Sequence, residues 1–237
     1  WKENYLILQE LQKREIMWYL DNIKKEQPEL IEEILKKQNS DIKELDYKVL
    51  SENIINDLKQ NSFVLWNSWA LLSIIEFSDL ECPYCIESHK SWILKKALKE
   101  NKENLNYIFK NFPLPSHKNA GIEAKAAKCV EQIAWWIKYL EYIDNIFNSS
   151  EWWWEWFKIN SLTPLAIKLW IEKEQFETCF NSTETVWKVE KEFKQWVMLG
   201  VNSVPTTLII NNETWKYITI SEVIEYEKLK TIINQLD

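Results

Sequence analysis

Glycine is nearly absent: Gly121 and Gly200 are the only two in 237 residues. A chain this long ordinarily carries about 17. Glycine fills left-handed backbone positions at the least steric cost, so Asn and Asp must meet most of those needs. Arginine is scarcer still, with Arg14 alone. Long apolar runs are missing too. Ala70-Leu71-Leu72 and Leu208-Ile209-Ile210 fall far below the roughly 20 residues of a membrane-spanning helix. No signal peptide is visible, and the sequence opens on Trp1 rather than Met, which leaves an upstream targeting or anchoring segment open. There is no excess of positive charge. At a net charge of -7 a general affinity for nucleic acid is not expected.

Tryptophan is in excess, with 15 residues, four of them (Trp152, Trp153, Trp154 and Trp156) within six positions. A membrane-surface belt, a stacking platform for sugars or bases, and a buried aromatic cluster are three physical readings of that stretch. A fourth covers both anomalies. Abundant Lys, Ile, Asn and Glu suit an AT-rich gene, which suppresses the GC-rich glycine codons but does not raise tryptophan. If UGA is read as glycine in the source and rendered here as tryptophan, both facts follow. The two glycines and fifteen tryptophans together make the ordinary glycine count. The alternative is a chain truly rich in tryptophan.

Hydrophobic residues at 46% and charged residues at 27% are ordinary for a globular protein. Residues 1 to about 60 carry apolar side chains at three- and four-residue spacings between charges, which predicts helices on either side of Pro28. Residues 1–62 thus read as a helical N-terminal extension, either a solvated amphipathic arm or a stalk for self-association. Residues 63–237 read differently. "LLSIIEFS" predicts a buried strand, "IESHKSWILKKALKEN" a helix, and "LNYIFKNF" a second strand. A helical block follows over about 116–182, then the helix "TETVWKVEKEFKQWVML", the strands "TTLIINN" and "KYITI", and a last helix. This is an α/β fold with an all-helical insertion.

Cys82-Pro83-Tyr84-Cys85 falls where the first strand ends and a helix begins. A helix start offers unpaired N–H groups and the positive end of a dipole, which stabilise a thiolate. The thiolate is the attacking species in disulfide exchange. Cys85, one turn on, can close a disulfide with Cys82, and Pro83 suits the first helical turn. The expected division of labour has Cys82 attacking and Cys85 resolving. A zinc pair or a structural disulfide are the competing readings. Zinc needs two more ligands, and Cys129 and Cys179 form no second C-x-x-C, so no metal is expected. No cofactor is implied. "SVPT" at 203–206 lies just ahead of a strand, and Pro205 is a candidate for a cis bond after Val204, with a trans proline as the alternative.

Four segments in order resemble the DsbA-like branch of the thioredoxin-fold disulfide oxidoreductases: "IIEFSDLECPYC", "NFPLPSHKNAGIEAKAAKC", "FETCFNS" and "LGVNSVPTTLIIN". The likeness covers about residues 64–237. It implies a thioredoxin-like fold with a helical insertion and a thiol–disulfide exchange activity outside the cytoplasm. Cys82 and Cys85 match the catalytic pair. Pro205, with Val204, matches the cis-proline loop that pairs with an extended substrate peptide. Glu76 matches a buried acidic residue that helps move protons, although a strand residue facing solvent is the plainer reading. Tyr84 supplies no positive charge, so the dipeptide leaves the direction of electron flow open. The resemblance further implies a disulfide between Cys129 and Cys179, against two buried thiols, and His117 as a helix-start or packing residue.

The same likeness suits glycine at Trp170, where a helix should end, at Trp215, between the last two strands, and at Trp66, ahead of the first core strand. Tryptophan at positions needing positive φ would be strained. The tryptophan cluster then becomes a linker. The functional readings are a disulfide-forming oxidase, a reductase or isomerase of the same fold, or a non-enzymatic partner-binding protein with a structural C-x-x-C. The expected partners are reduced or unfolded polypeptides and a redox partner such as a membrane oxidase.

Overall fold

The computed structural model describes residues 48–51, 54, 64–150 and 157–236. The predicted helices of the N-terminal extension, apart from those few positions, and the cluster at 151–156 lie outside the described residues. A six-stranded sheet forms the centre, with strand order β1-β6-β5-β3-β4-β2. The strands are β1 (Lys48–Val49), β2 (Leu65–Trp66), β3 (Leu72–Ser78), β4 (Leu105–Asn111), β5 (Thr206–Asn211) and β6 (Lys216–Ile220). β3 and β4 run parallel; every other pairing is antiparallel.

β3, β4 and β5 are buried along their whole length. This explains why "LSIIEFS" is apolar on both faces rather than alternating. Its core residues Ile74 and Phe77 are fully enclosed, and burial of each such side chain stabilises by about 1.5–3 kcal/mol. The parallel β3–β4 pair requires a crossover, made by α1 (Pro83–Lys90) and α2 (Ile93–Glu100). The helix α8 (Tyr226–Leu236) buries Leu229, Ile232, Ile233 and Leu236.

The helical insertion lies between β4 and β5. It contains α3 (Ala120–Ile133), α4 (Trp136–Ser149), a 3-10 turn at Ile159–Ser161, α5 (Leu162–Lys168) and α6 (Lys173–Asn181), and α7 (Thr183–Met198) leads back to the sheet. Small side chains on α3, including Ala124, Ala126 and Ala127, are buried. A buried ion network joins the insertion to the sheet: Lys128 Nζ lies 2.6 Å from both Glu131 and Glu192, and Glu192 also faces Lys110 of β4 at 3.5 Å. Cys129 and Cys179 form a disulfide linking α3 to α6, with Cα atoms 5.7 Å apart.

Three sequence expectations differ from the structure. Lys48–Val49, placed in a helical stretch by periodicity, is a short strand on β6, where Leu50 N–H also donates to the Trp215 carbonyl. An open sheet edge outweighs local helix preference there. The single helix expected after the cysteines is two, broken at Trp92 with φ 61°. Trp66, read as a glycine position ahead of the first core strand, pairs in β2 opposite Asn106 and does not have positive φ. Positive φ among non-glycine described residues occurs at Trp92, Trp170 and Trp215 and nowhere else.

Candidate active site

Cys82 is the N-cap of α1, in extended conformation, with Pro83 at the first helical position. Its carbonyl accepts from Ile86 N–H at 2.9 Å, and its own N–H donates to the Asp79 carbonyl at 3.1 Å. The sulfur therefore stands at the start of the helix, as the strand-to-helix pattern predicts. Both Cys82 and Cys85 are free thiols and fully buried. Cys82 donates to the Val204 carbonyl at 3.9 Å, and the Val204–Pro205 bond is cis. The C-x-x-C and the SVPT segment, 122 residues apart from Cys82 to Val204, thus meet in one site.

The two sulfurs differ. Burial pushes the Cys82 thiol up, but the hydrogen bond from the Cys85 side chain, the His117 charge and the Cys85 backbone N–H outweigh it and the Asp79 charge, leaving Cys82 below its ordinary value. Cys85 is pushed well above its ordinary value by burial first, then by its hydrogen bond to Cys82 and the charges of Cys82 and Asp79. One cysteine is thus disposed to carry the anion and the other to hold its proton. Tyr84 is buried with α1 and brings no cation to the pair.

Glu76 lies in β3 and is buried, not solvent-facing. Tyr107 O–H donates to its Oε2 at 2.5 Å. Burial raises its pKa, against the hydrogen bond from Tyr107 and the charges of His89 and Lys95. Its described hydrogen bond runs to Tyr107 on the neighbouring strand rather than to either sulfur.

Asp79, three residues on, connects the site, and nothing in the local sequence singled it out. Its N–H donates to Cys85 Sγ at 3.4 Å. Its side chain accepts from Glu81 N–H at 2.8 Å, from Leu114 N–H at 2.7 Å, and faces His117 Nδ1 at 2.9 Å. Glu81 caps α3 from the active-site loop, accepting from Asn119 N–H, Asn119 Nδ2 and Ala120 N–H within 3.0 Å, where a carboxylate complements the helix dipole. Behind it, Glu123 of α3 is fully buried, with no hydrogen-bond partner among the described residues on either carboxyl oxygen. Burial and the charges of Glu81 and Asp79 push it up to about 9. His117, read from sequence as a helix-start or packing residue, pairs with Asp79.

Residues 58–235 match the family described as Thioredoxin. The chain belongs to the thioredoxin family. Its fold is that of DsbA-type thiol:disulfide oxidoreductases. DsbA2 of Pseudomonas aeruginosa superposes with a TM-score of 0.62 at 21% identity, over 73% of this chain and 93% of that one. The thiol-disulfide exchange protein alpha-DsbA2 of Wolbachia pipientis superposes at 0.60 and 15% identity, over 78% and 92%. A curated relative, the Na(+)/H(+) antiporter NhaA of Herminiimonas arsenicoxydans, is 24% identical over 140 residues, 59% of this chain. The match spans 21% of the antiporter's own length. Among the described residues no group of His, Cys, Asp and Glu is arranged to hold a metal, and no helix is long and apolar enough to cross a membrane.

Proposed function

We propose that this thioredoxin-family protein forms disulfides in reduced, unfolded polypeptides outside the cytoplasm. The observation that carries the reading is the meeting of Cys82, at the start of α1, with the carbonyl of Val204 before cis Pro205. An extended peptide can pair with that loop and bring its own sulfur to Cys82.

The cycle runs as follows. A substrate thiolate attacks Cys82 Sγ of the Cys82–Cys85 disulfide, forming a mixed disulfide and expelling the Cys85 thiolate, which takes up a proton. A second substrate thiolate attacks the mixed disulfide and expels Cys82 as the thiolate. The substrate loses two electrons and gains a disulfide; the enzyme is left as the dithiol. A redox partner, such as a membrane oxidase, then takes the two electrons. Stabilisation of the departing Cys82 thiolate favours the reduced enzyme and so makes the disulfide oxidising. The Cys129–Cys179 disulfide suits an oxidising compartment.

The reduction potential of the Cys82–Cys85 pair decides between oxidase and reductase. A value more positive than the glutathione couple, about -220 mV, with oxidation of a reduced unfolded protein, is the expected result. A value far below it assigns a reductase, and no exchange at all leaves a structural clip.

A further inference from the structure

The Pro-Tyr dipeptide puts no cation over Cys82, yet the fold brings one in from elsewhere. We infer that His117, held by Asp79, is the cation of this redox site and stabilises the Cys82 thiolate through space. The inference rests on the exchange reading above.

His117 follows β4 on the loop that leads to α3, and its backbone N–H donates to the Leu114 carbonyl at 3.0 Å. Leu114 N–H in turn donates to Asp79 Oδ2, the oxygen that pairs with His117 Nδ1. The Asp79 side chain is fully buried and the His117 side chain is 19% exposed, so the pair is only partly screened by water. Asp79 is joined through its own backbone to both cysteines: its carbonyl accepts from Cys82 N–H and its N–H donates to Cys85 Sγ. One residue therefore ties the imidazole to the dithiol.

The charges around the pair pull in opposite directions. Asp79 disfavours a thiolate at Cys82, while His117 favours it. Without its imidazolium partner the buried Asp79 carboxylate would stand as an anion beside a sulfur that must itself become one. His117 thus offsets a repulsion that the loop's own architecture builds in. Burial alone would push the His117 imidazole down, but the charge and hydrogen bond of Asp79, with the charges of Cys82 and Glu81, push it up to about 9. Glu123, on α3 near Glu81 and Asp79, also belongs to this cluster, and burial followed by the charges of those two acids pushes its carboxyl up to about 9. Asp79 is the positioning residue, and His117 acts on the sulfur by charge alone.

The test is the pH profile of Cys82 alkylation in the full-length reduced protein, for the natural chain, His117→Gln and His117→Lys. Glutamine keeps a donor for Asp79 without the charge, and lysine restores the charge. The expected midpoint in His117→Gln is higher by about one unit, with a matching loss of roughly tenfold in thiolate at pH well below the midpoint. His117→Lys is expected to return most of that shift, and the natural chain and His117→Gln should converge in rate above pH 9. An unchanged midpoint in His117→Gln, or equal shifts in both variants, overturns the inference while leaving exchange intact. A Cys82 that reacts no faster than an ordinary thiol in the natural chain sinks the exchange reading itself.

α7 ends with Gly200 N–H donating to the Val197 carbonyl and Val201 N–H to the Trp196 carbonyl, Gly200 having φ 83°. α5 ends the same way: Trp170 N–H donates to the Ile167 carbonyl and Ile171 N–H to the Ala166 carbonyl, Trp170 having φ 65°. This paired closure belongs to glycine in the left-handed position. Trp92 takes that conformation just past the end of α1, and Trp215 takes it in the β5–β6 hairpin. Trp69 and Trp170 are about nine-tenths exposed. The geometry points to glycine at these positions in the native protein, encoded by a UGA codon that the source reads as glycine. Peptide mass spectrometry of the protein isolated from its source decides this. Glycine at 92, 170 and 215 is the expected result, and tryptophan at those positions overturns it.

Discussion

Cys82→Ser is expected to abolish oxidation of a reduced substrate, to the uncatalysed rate, while Cys85→Ser, given a disulfide-bonded peptide, is expected to trap a mixed disulfide as Cys82 attacks that disulfide and expels the peptide's other sulfur as a thiolate. The two sulfurs sit one turn apart on the same helix but in unlike settings. Cys82 is the N-cap, where the helix dipole and the bond from Cys85 favour the anion, and it faces the Val204 carbonyl. Cys85 is buried like Cys82, but its thiol is held well above the ordinary value. Exchange with substrate is therefore expected at Cys82. Serine there cannot form a disulfide, and its hydroxyl does not ionise usefully near neutral pH, so no intermediate forms. Serine at Cys85 leaves the attacking sulfur and removes only the one that would release it. Non-reducing electrophoresis reads both outcomes, with a reduced model protein for Cys82→Ser and a disulfide-bonded model peptide for Cys85→Ser. Retained oxidation in Cys82→Ser, or an adduct on Cys85 rather than Cys82 in the respective single-cysteine variants, would be incompatible with this division of labour.

The sequence made the covalent actors legible because each carries a local signal. A buried apolar run followed by C-x-x-C with proline after the first cysteine is readable within about fifteen residues, and β3 and α1 stand where it places them. The electrostatic actors carry no such signal. Asp79, Glu81 and His117 look like ordinary loop polar residues until β3 and β4 pair in parallel and bring their C-terminal ends side by side. Only then does the loop after β4 place His117 against Asp79 and present the start of α3 to Glu81. The strands β1 and β2 were missed for a related reason. Two residues show no period, and their pairing is decided by the free edges of β6 and β4. The break between α1 and α2 was missed because its signal is normally a glycine, and position 92 is written as tryptophan. The tryptophans at 170 and 215 were placed by that same argument, and both have the left-handed backbone it requires.

Removing the Cys129–Cys179 disulfide is expected to destabilise the folded protein by about 4 kcal/mol, from the entropy regained by the unfolded chain when a loop of this length is opened. The bridge spans 50 residues and closes a segment that includes α4, α5 and α6. It joins the first helix of the insertion to the last before α7. Loops of this length make the cross-link more effective, because the unlinked chain has more conformations to lose. Cys129 is fully buried on α3 and Cys179 is half-buried on α6. The Thr185 hydroxyl lies 3.4 Å from the Cys179 sulfur and 3.9 Å from the Cys129 sulfur on α3, and donates to the Cys179 carbonyl. The double variant Cys129→Ala/Cys179→Ala tests this without disturbing Cys82 or Cys85. Its urea midpoint should fall, and its exchange rate on a model peptide, measured where both proteins remain folded, should stay close to that of the natural chain. A loss below about 1 kcal/mol would mean that the contacts of α3 with α6 and α7 already hold the insertion closed, and that the entropy model overstates what this cross-link contributes.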